Sequence, residues 1–200
     1  LDKTSRQSPQ DAPTLWKPQR SYLRRTIPAG LSDWLLDPAS LTHRLQQLCP
    51  RQFRVQVLEQ QWRYPQHDEA RVLGMAPRGT ALVRQVRLLC GDQPWVYART
   101  VIPAASLQGD RRRLRGLGSR PLGAVLFADP TMKRGVVELA RLLPGERLFR
   151  DATRGLGTSP AEIWGRRSVF TLSGRPLLVS EIFLPAVPAV RRHWPFWKRR

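Results

Sequence analysis

Acidic residues are scarce in this 200-residue chain, with 15 Asp and Glu against 34 Lys and Arg and a formal net charge of +19. Histidine and cysteine are scarcer still, at three and two residues. They form no cluster at metal-ligand spacing, and the chain carries no glycine-rich dinucleotide fingerprint and no phosphate loop, so metal-dependent and nucleotide-cofactor chemistry are not indicated. No cofactor is expected. Long apolar runs are also missing: none approaches the eighteen or so residues that a spanning helix needs, and the N-terminal stretch lacks the continuous apolar core of a signal peptide. The expectation is a cytoplasmic protein, in which Cys49 and Cys90 are two free, inert thiols rather than a disulfide.

The basic excess is unevenly spread. Residues 1–25 hold six Lys and Arg against two acids, and residues 191–200 hold five against none. Within 26–190 the ratio is twenty-three to thirteen, including the cluster Arg111, Arg112, Arg113 and Arg115. No nucleic-acid-binding motif or series of stacking aromatics accompanies it, so no specific nucleic-acid partner is expected. The charge reads better as the mark of a basic proteome or as a surface that attracts an anionic substrate. One domain of 26–190 is expected, preceded by a disordered basic arm at 1–25 and followed by a basic aromatic tail at 191–200. That tail holds five cations and three large aromatics, which fits either a plain basic end or a weak peripheral contact with an anionic membrane.

Two stretches have the same plan. Residues 88–103 (LLCGDQPWVYARTVIP) and 170–185 (FTLSGRPLLVSEIFLP) each run strand, glycine-containing turn, apolar strand and closing proline, and each reads as a β-hairpin. Each carries one charge four residues before that proline, Arg99 and Glu181. Side chains alternate between faces along a strand, which puts Arg84 with Leu82, Val86 and Leu88, and Glu181 with Leu177, Val179 and Phe183. A charge on an apolar register must pair, bind a ligand or face solvent. Arg84 and Glu181 therefore form a structural ion pair, bind a ligand, or lie on a register that faces solvent.

Patterning places the remaining elements. Ser32 and Ser40 read as N-caps of helices at 33–36 and 41–48. Ser119 and Pro121 read as the start of a helix at 122–127, and Asp129 before Pro130 as the start of another. Val136, Val137, Ala140 and Leu143 suggest a helix over 133–143. Residues 142–163 read as a long loop, either a surface insertion or a lid. Strands are expected near 53–61, 81–90, 95–102, 166–173 and 177–184. The fold class is α+β, with a single antiparallel sheet.

Five ordered blocks resemble the chorismate lyase family. They are Trp34-Leu-Leu with residues 40–44 (SLTHR); Arg84 with 88–103; 117–127 (LGSRPLGAVLF); 164–168 (WGRRS); and 172–185. The resemblance covers about residues 28–188. It implies helical flaps covering an internal ligand site, and an enzyme that splits chorismate into 4-hydroxybenzoate and pyruvate at the entry to ubiquinone synthesis. It also implies that Arg84 and Glu181 are the catalytic pair, Arg84 holding the ring carboxylate and Glu181 the ring hydroxyl. Leu41 and Leu122 would contribute from the two flaps through backbone groups or packing. Arg99, the available cation on the neighbouring strand, is an added candidate for the second carboxylate of chorismate. Glu181 would act either as a general base or as a positioning group. A monomer is expected. A non-enzymatic sensor domain of a transcription regulator is the alternative, although residues 1–30 are too short and proline-rich to supply a DNA-binding helix-turn-helix.

Overall fold

The computed structural model describes residues 12–76 and 78–189. Two tight turns organise it. Ser173 and Gly174, with φ of 47° and 75°, form a two-residue turn whose positive φ values match the twist of the flanking strands. That turn joins β7 (Ile163–Leu172) to β8 (Arg175–Phe183), fixing Leu172 opposite Arg175 and Arg166 opposite Glu181. Gly91 and Asp92 do the same for β3 (Ala81–Cys90) and β4 (Gln93–Pro103), where a register shift near Leu88 puts Arg84 opposite Thr100. The expected hairpins are both present.

These four strands are the middle of one antiparallel sheet. With β1 (Lys17–Pro18), β2 (Phe53–Arg63) and β6 (Glu138–Leu142) the order is β1-β6-β7-β8-β4-β3-β2, and β5 (Lys133–Arg134) pairs with β7 beside β6. The α+β class holds. One face is covered by α1 (Ala29–Leu35), α2 (Leu41–Leu48) and α4 (Leu122–Ala128). Trp34, Leu35, Leu41 and Leu45 pack there on Val86, Leu88, Val96, Ala98 and Phe183, and Leu126 packs on Phe170, Leu177 and Val179. The opposite face is covered by α3 (His67–Val72) and α5 (Arg147–Thr153), the latter placing Leu148, Phe149 and Ala152 on Tyr97, Ile182 and Leu184.

Several expectations are corrected. Ser40 does cap α2, its Oγ accepting from the His43 amide at 3.3 Å. Ser32 is not a cap: α1 starts after Pro28, and the Ser32 hydroxyl donates back to the Ala29 carbonyl at 3.1 Å. Pro121 takes the N-cap position of α4, and Ser119 lies outside the helix. No helix follows Pro130, because the Asp129 carboxylate accepts from both the amide and the hydroxyl of Thr131 and closes a turn. The helix expected over 133–143 is two strands instead. Two of its supposed core positions, Val136 and Leu143, are 69% and 41% exposed, while Leu139, Ala140 and Leu142 are buried by pairing with β7. Sheet pairing overrode the local period. The expected loop at 142–163 contains α5.

The described part of the expected arm also belongs to the fold. β1 pairs with β6, the Trp16 ring is partly buried on the α5 side, and Tyr22 packs edge-on against Trp164. The C-terminal basic tail lies outside the described residues. Cys49 and Cys90 are not free thiols: they form a disulfide with Cα atoms 5.8 Å apart. Forty-one residues separate them in sequence, but β2 starts with Phe53 opposite Cys90, which brings the end of α2 over the end of β3.

Candidate active site

Small residues in the sheet make room for a cleft. On the face covered by α2 and α4, one row of side chains runs Arg84, Thr100, Val179, Ser168 across four strands, and the next runs Val86, Ala98, Glu181, Arg166. Ala98 and Thr100 are the shortest side chains on the floor between Arg84 and Glu181. The cleft above them holds about 550 Å³ free of protein atoms, part of it open to solvent. Its walls include Leu41 and Thr42 of α2 and Leu122, Gly123, Leu126 and Phe127 of α4, together with Phe170 of β7. Arg84 and Glu181 both line it, two strands and two residues apart, which corresponds to about 12 Å between their Cα atoms.

Arg84 is 3% exposed. Its Nη1 donates to the Gln60 side chain at 2.9 Å and its Nη2 to the Gly118 carbonyl at 2.8 Å. These neutral acceptors orient the guanidinium but do not balance its charge, and burial lowers its pKa below the usual arginine value. Among the described residues no carboxylate pairs with it. A desolvated cation held by neutral groups beside an open cleft is a site for an anion.

Glu181 is held differently. Its Oε2 accepts from Arg166 Nε at 2.5 Å, and Arg166 Nη1 also donates to the carbonyls of Trp34 (2.8 Å) and Asp37 (2.6 Å) at the end of α1. The arginine thus fixes the carboxylate and the helix together. Glu181 Oε1 has no hydrogen-bond partner among the described residues and remains able to accept from a ligand hydroxyl. The structural ion pair between Arg84 and Glu181 is excluded, because each has other partners.

Leu41 and Leu122 are brought to the cleft with Arg84 and Glu181, at the first positions of α2 and α4. Arg99 is not. It points to the opposite face of β4, where Nε and Nη2 donate to the two Glu69 oxygens at 2.7 and 3.0 Å. Both side chains are nearly fully buried, so Arg99 is committed to a structural pair. Its odd position against the even-numbered cleft residues of the same strand is the signal that separates it from the site. Gln60, Thr42, Thr100, Phe170 and Arg166 went unnoticed as site components. Arg166 was within reach of the sequence, since a two-residue turn at Ser173-Gly174 places it opposite Glu181.

The flaps meet over this cleft. Gly123 sits so close to α2 that a Cβ there would lie 2.5 Å from Thr42 Oγ1.

Comparison with known proteins bears on the same residues. The chain is 46% identical over 167 residues to a protein of Azoarcus sp. strain BH72 named "Probable chorismate pyruvate-lyase", covering 82% of this chain and 88% of that one. A protein of the same name from Methylococcus capsulatus strain Bath is 43% identical over 160 residues, covering 80% and 98%. Among solved structures, a GntR-family transcriptional regulator from Bacillus cereus shares the fold, with a TM-score of 0.51 at 14% identity, over 72% of this chain and 99% of that one. The sequence model of the family described as chorismate lyase matches residues 12–192, a span that includes the β1 segment, the cleft and both flaps, and the chain therefore belongs to the chorismate lyase family of enzymes.

Proposed function

We propose that this enzyme converts chorismate to 4-hydroxybenzoate and pyruvate. The observation that carries the reading is the buried Arg84, which has no carboxylate partner among the described residues and opens on a cleft with an oriented carboxylate at its far end. Arg84 binds the ring carboxylate through its planar guanidinium, and the ring lies over Ala98 and Thr100 beneath α2 and α4. Glu181 accepts a hydrogen bond from the ring hydroxyl. Leu41 and Leu122 close over the ring from the two flaps.

In this arrangement the ether bond between the ring and the enolpyruvyl group breaks, and the hydrogen on the hydroxyl-bearing ring carbon moves to the enolpyruvyl methylene. The side chain leaves as pyruvate and the ring becomes aromatic, which supplies the driving force. No external oxidant, reductant or water is consumed. An internal transfer needs a folded near-attack geometry, which the two poles and the covering helices provide. Glu181 serves here as a positioning group, its Oε2 fixed by Arg166 and its Oε1 left to accept from the ring hydroxyl. The product is the aromatic precursor of ubiquinone, and the reading is of a monomer. Among the described residues no helix is long and apolar enough to cross a membrane.

The test is pyruvate release from chorismate, coupled to lactate dehydrogenase, with 4-hydroxybenzoate followed in parallel. One pyruvate per 4-hydroxybenzoate is expected. Binding of 4-hydroxybenzoate without any pyruvate release would overturn the lyase reading and favour a sensor domain.

A further inference from the structure

Arg99 leaves a vacancy in the substrate chemistry: chorismate carries a second carboxylate on its enolpyruvyl group, and that arginine faces the wrong side of the sheet. On the cleft side, beyond Glu181, lies Arg134 of β5. Its Nε donates to Ser168 Oγ at 3.1 Å, at the far end of the row that starts with Arg84. Its Nη1 donates to the Pro38 carbonyl at 3.1 Å, in the link between α1 and α2. Its guanidinium carbon stands 5.4 Å from the centroid of Phe170, a ring that lines the cleft. Among the described residues its Nη2 has no acceptor and no carboxylate forms an ion pair with it.

The charge balance points the same way. Arg84 lines the cleft, and Arg166 and Arg134 lie just beyond its Glu181 end, against the one carboxylate of Glu181, while the nearby Asp37 is taken by Arg44 at 3.0 Å. Two cations are in excess. Chorismate is a dianion, and its enolpyruvyl ether sits on the ring carbon next to the hydroxyl, at the Glu181 end rather than the Arg84 end. We infer that Arg134 binds the enolpyruvyl carboxylate of the substrate, so that it discriminates substrate from product. This rests on the lyase reading. Burial first and the neighbouring Arg166 second lower the pKa of Arg134, outweighing the opposite effect of Glu181 and Asp37. Once pyruvate has left, the product keeps nothing for Arg134 to hold.

The experiment compares wild type with Arg134→Ala, measuring KM and kcat for pyruvate release and, separately, the Kd of 4-hydroxybenzoate by calorimetry. A rise of tenfold or more in KM for chorismate is expected, with the product Kd within twofold of wild type. Equal losses of substrate and product affinity would make Arg134 a structural tie to Pro38 and overturn the inference, as would no change in either. A second measurement needs no variant. Wild type should bind 3-(carboxymethoxy)-4-hydroxybenzoate more tightly than 3-methoxy-4-hydroxybenzoate, with the preference shrinking as salt rises; equal affinities overturn the inference. Wild type that releases no pyruvate would instead sink the lyase reading, whereas an active wild type without the selective effects sinks only the role of Arg134.

Discussion

The two faces of the central strands carry buried arginines in opposite circumstances. On the face under α3, Arg99 meets Glu69 through two bonds, and Arg167 meets Asp68 at 2.5 Å and Glu138 at 2.7 Å. On the face under α2 and α4, Arg84 is equally buried but meets only a side-chain amide and backbone carbonyls. The same residue type on adjacent strands is thus a closed structural pair on one face and an open binding group on the other. Burial alone does not mark a site. Burial without a counter-charge, beside a cleft, does.

Breaking a pair on the closed face should give the largest effect on stability. Glu69→Ala strands the Arg99 guanidinium and removes the side chain that accepts from the Gln66 amide at the start of α3. A loss of about 3–5 kcal/mol is expected, or roughly 6–20 °C in Tm, with the KM of the remaining folded enzyme near wild type. A selective loss of turnover at unchanged Tm would erase the distinction between the faces.

On the open face the effect should fall on catalysis. Arg84→Ala should cost about 2–5 kcal/mol in kcat/KM, about 30-fold to several thousand-fold, while lowering Tm less than Glu69→Ala does. Wild-type pyruvate release by Arg84→Ala would remove the anion site from the cleft.

The disulfide sharpens the contrast because it ties only the open face, joining the end of α2 to β3. Reduction, or Cys49→Ser, should lower stability by about 2–4 kcal/mol, read as a drop in Tm under reducing conditions. An unchanged Tm would show that the bond adds nothing to the fold.

Smallest is the contribution of one hydroxyl. Saturating 4-hydroxybenzoate should raise Tm more than equal benzoate, since benzoate leaves Glu181 Oε1 unpaired, at a difference of about 1–3 kcal/mol. Equal shifts would rule out the contact between Glu181 and the hydroxyl.

Much of this was legible in the chain itself. Alternation along 81–90 and 177–184 put Arg84 and Glu181 on apolar registers, and the tight turns fixed the hairpins around them. What escaped was set by distant partners. The 136–143 run has a helical spacing, yet it becomes β6 because β7 offers it an edge. Arg99 looked like a site residue because its partner Glu69 lies on α3, a six-residue helix with little apolar periodicity to announce it. Cys49 and Cys90 looked unrelated for a similar reason: only the pairing of β2 with β3 brings them together.

The seam where Gly123 meets Thr42 has a kinetic consequence. With no space for even a methyl group where Gly123 of α4 meets Thr42 of α2, the two helices narrow the way to Arg84 and Glu181 to the part of the cleft that stays open to solvent. Whatever enters and whatever leaves passes the same narrowed mouth. A mouth of the same width whether or not the cleft is occupied slows arrival and departure by the same factor, leaving affinity untouched. Residence time in such a cleft is therefore a property of the seam as much as of the charges inside, set by the fit of one glycine against one threonine.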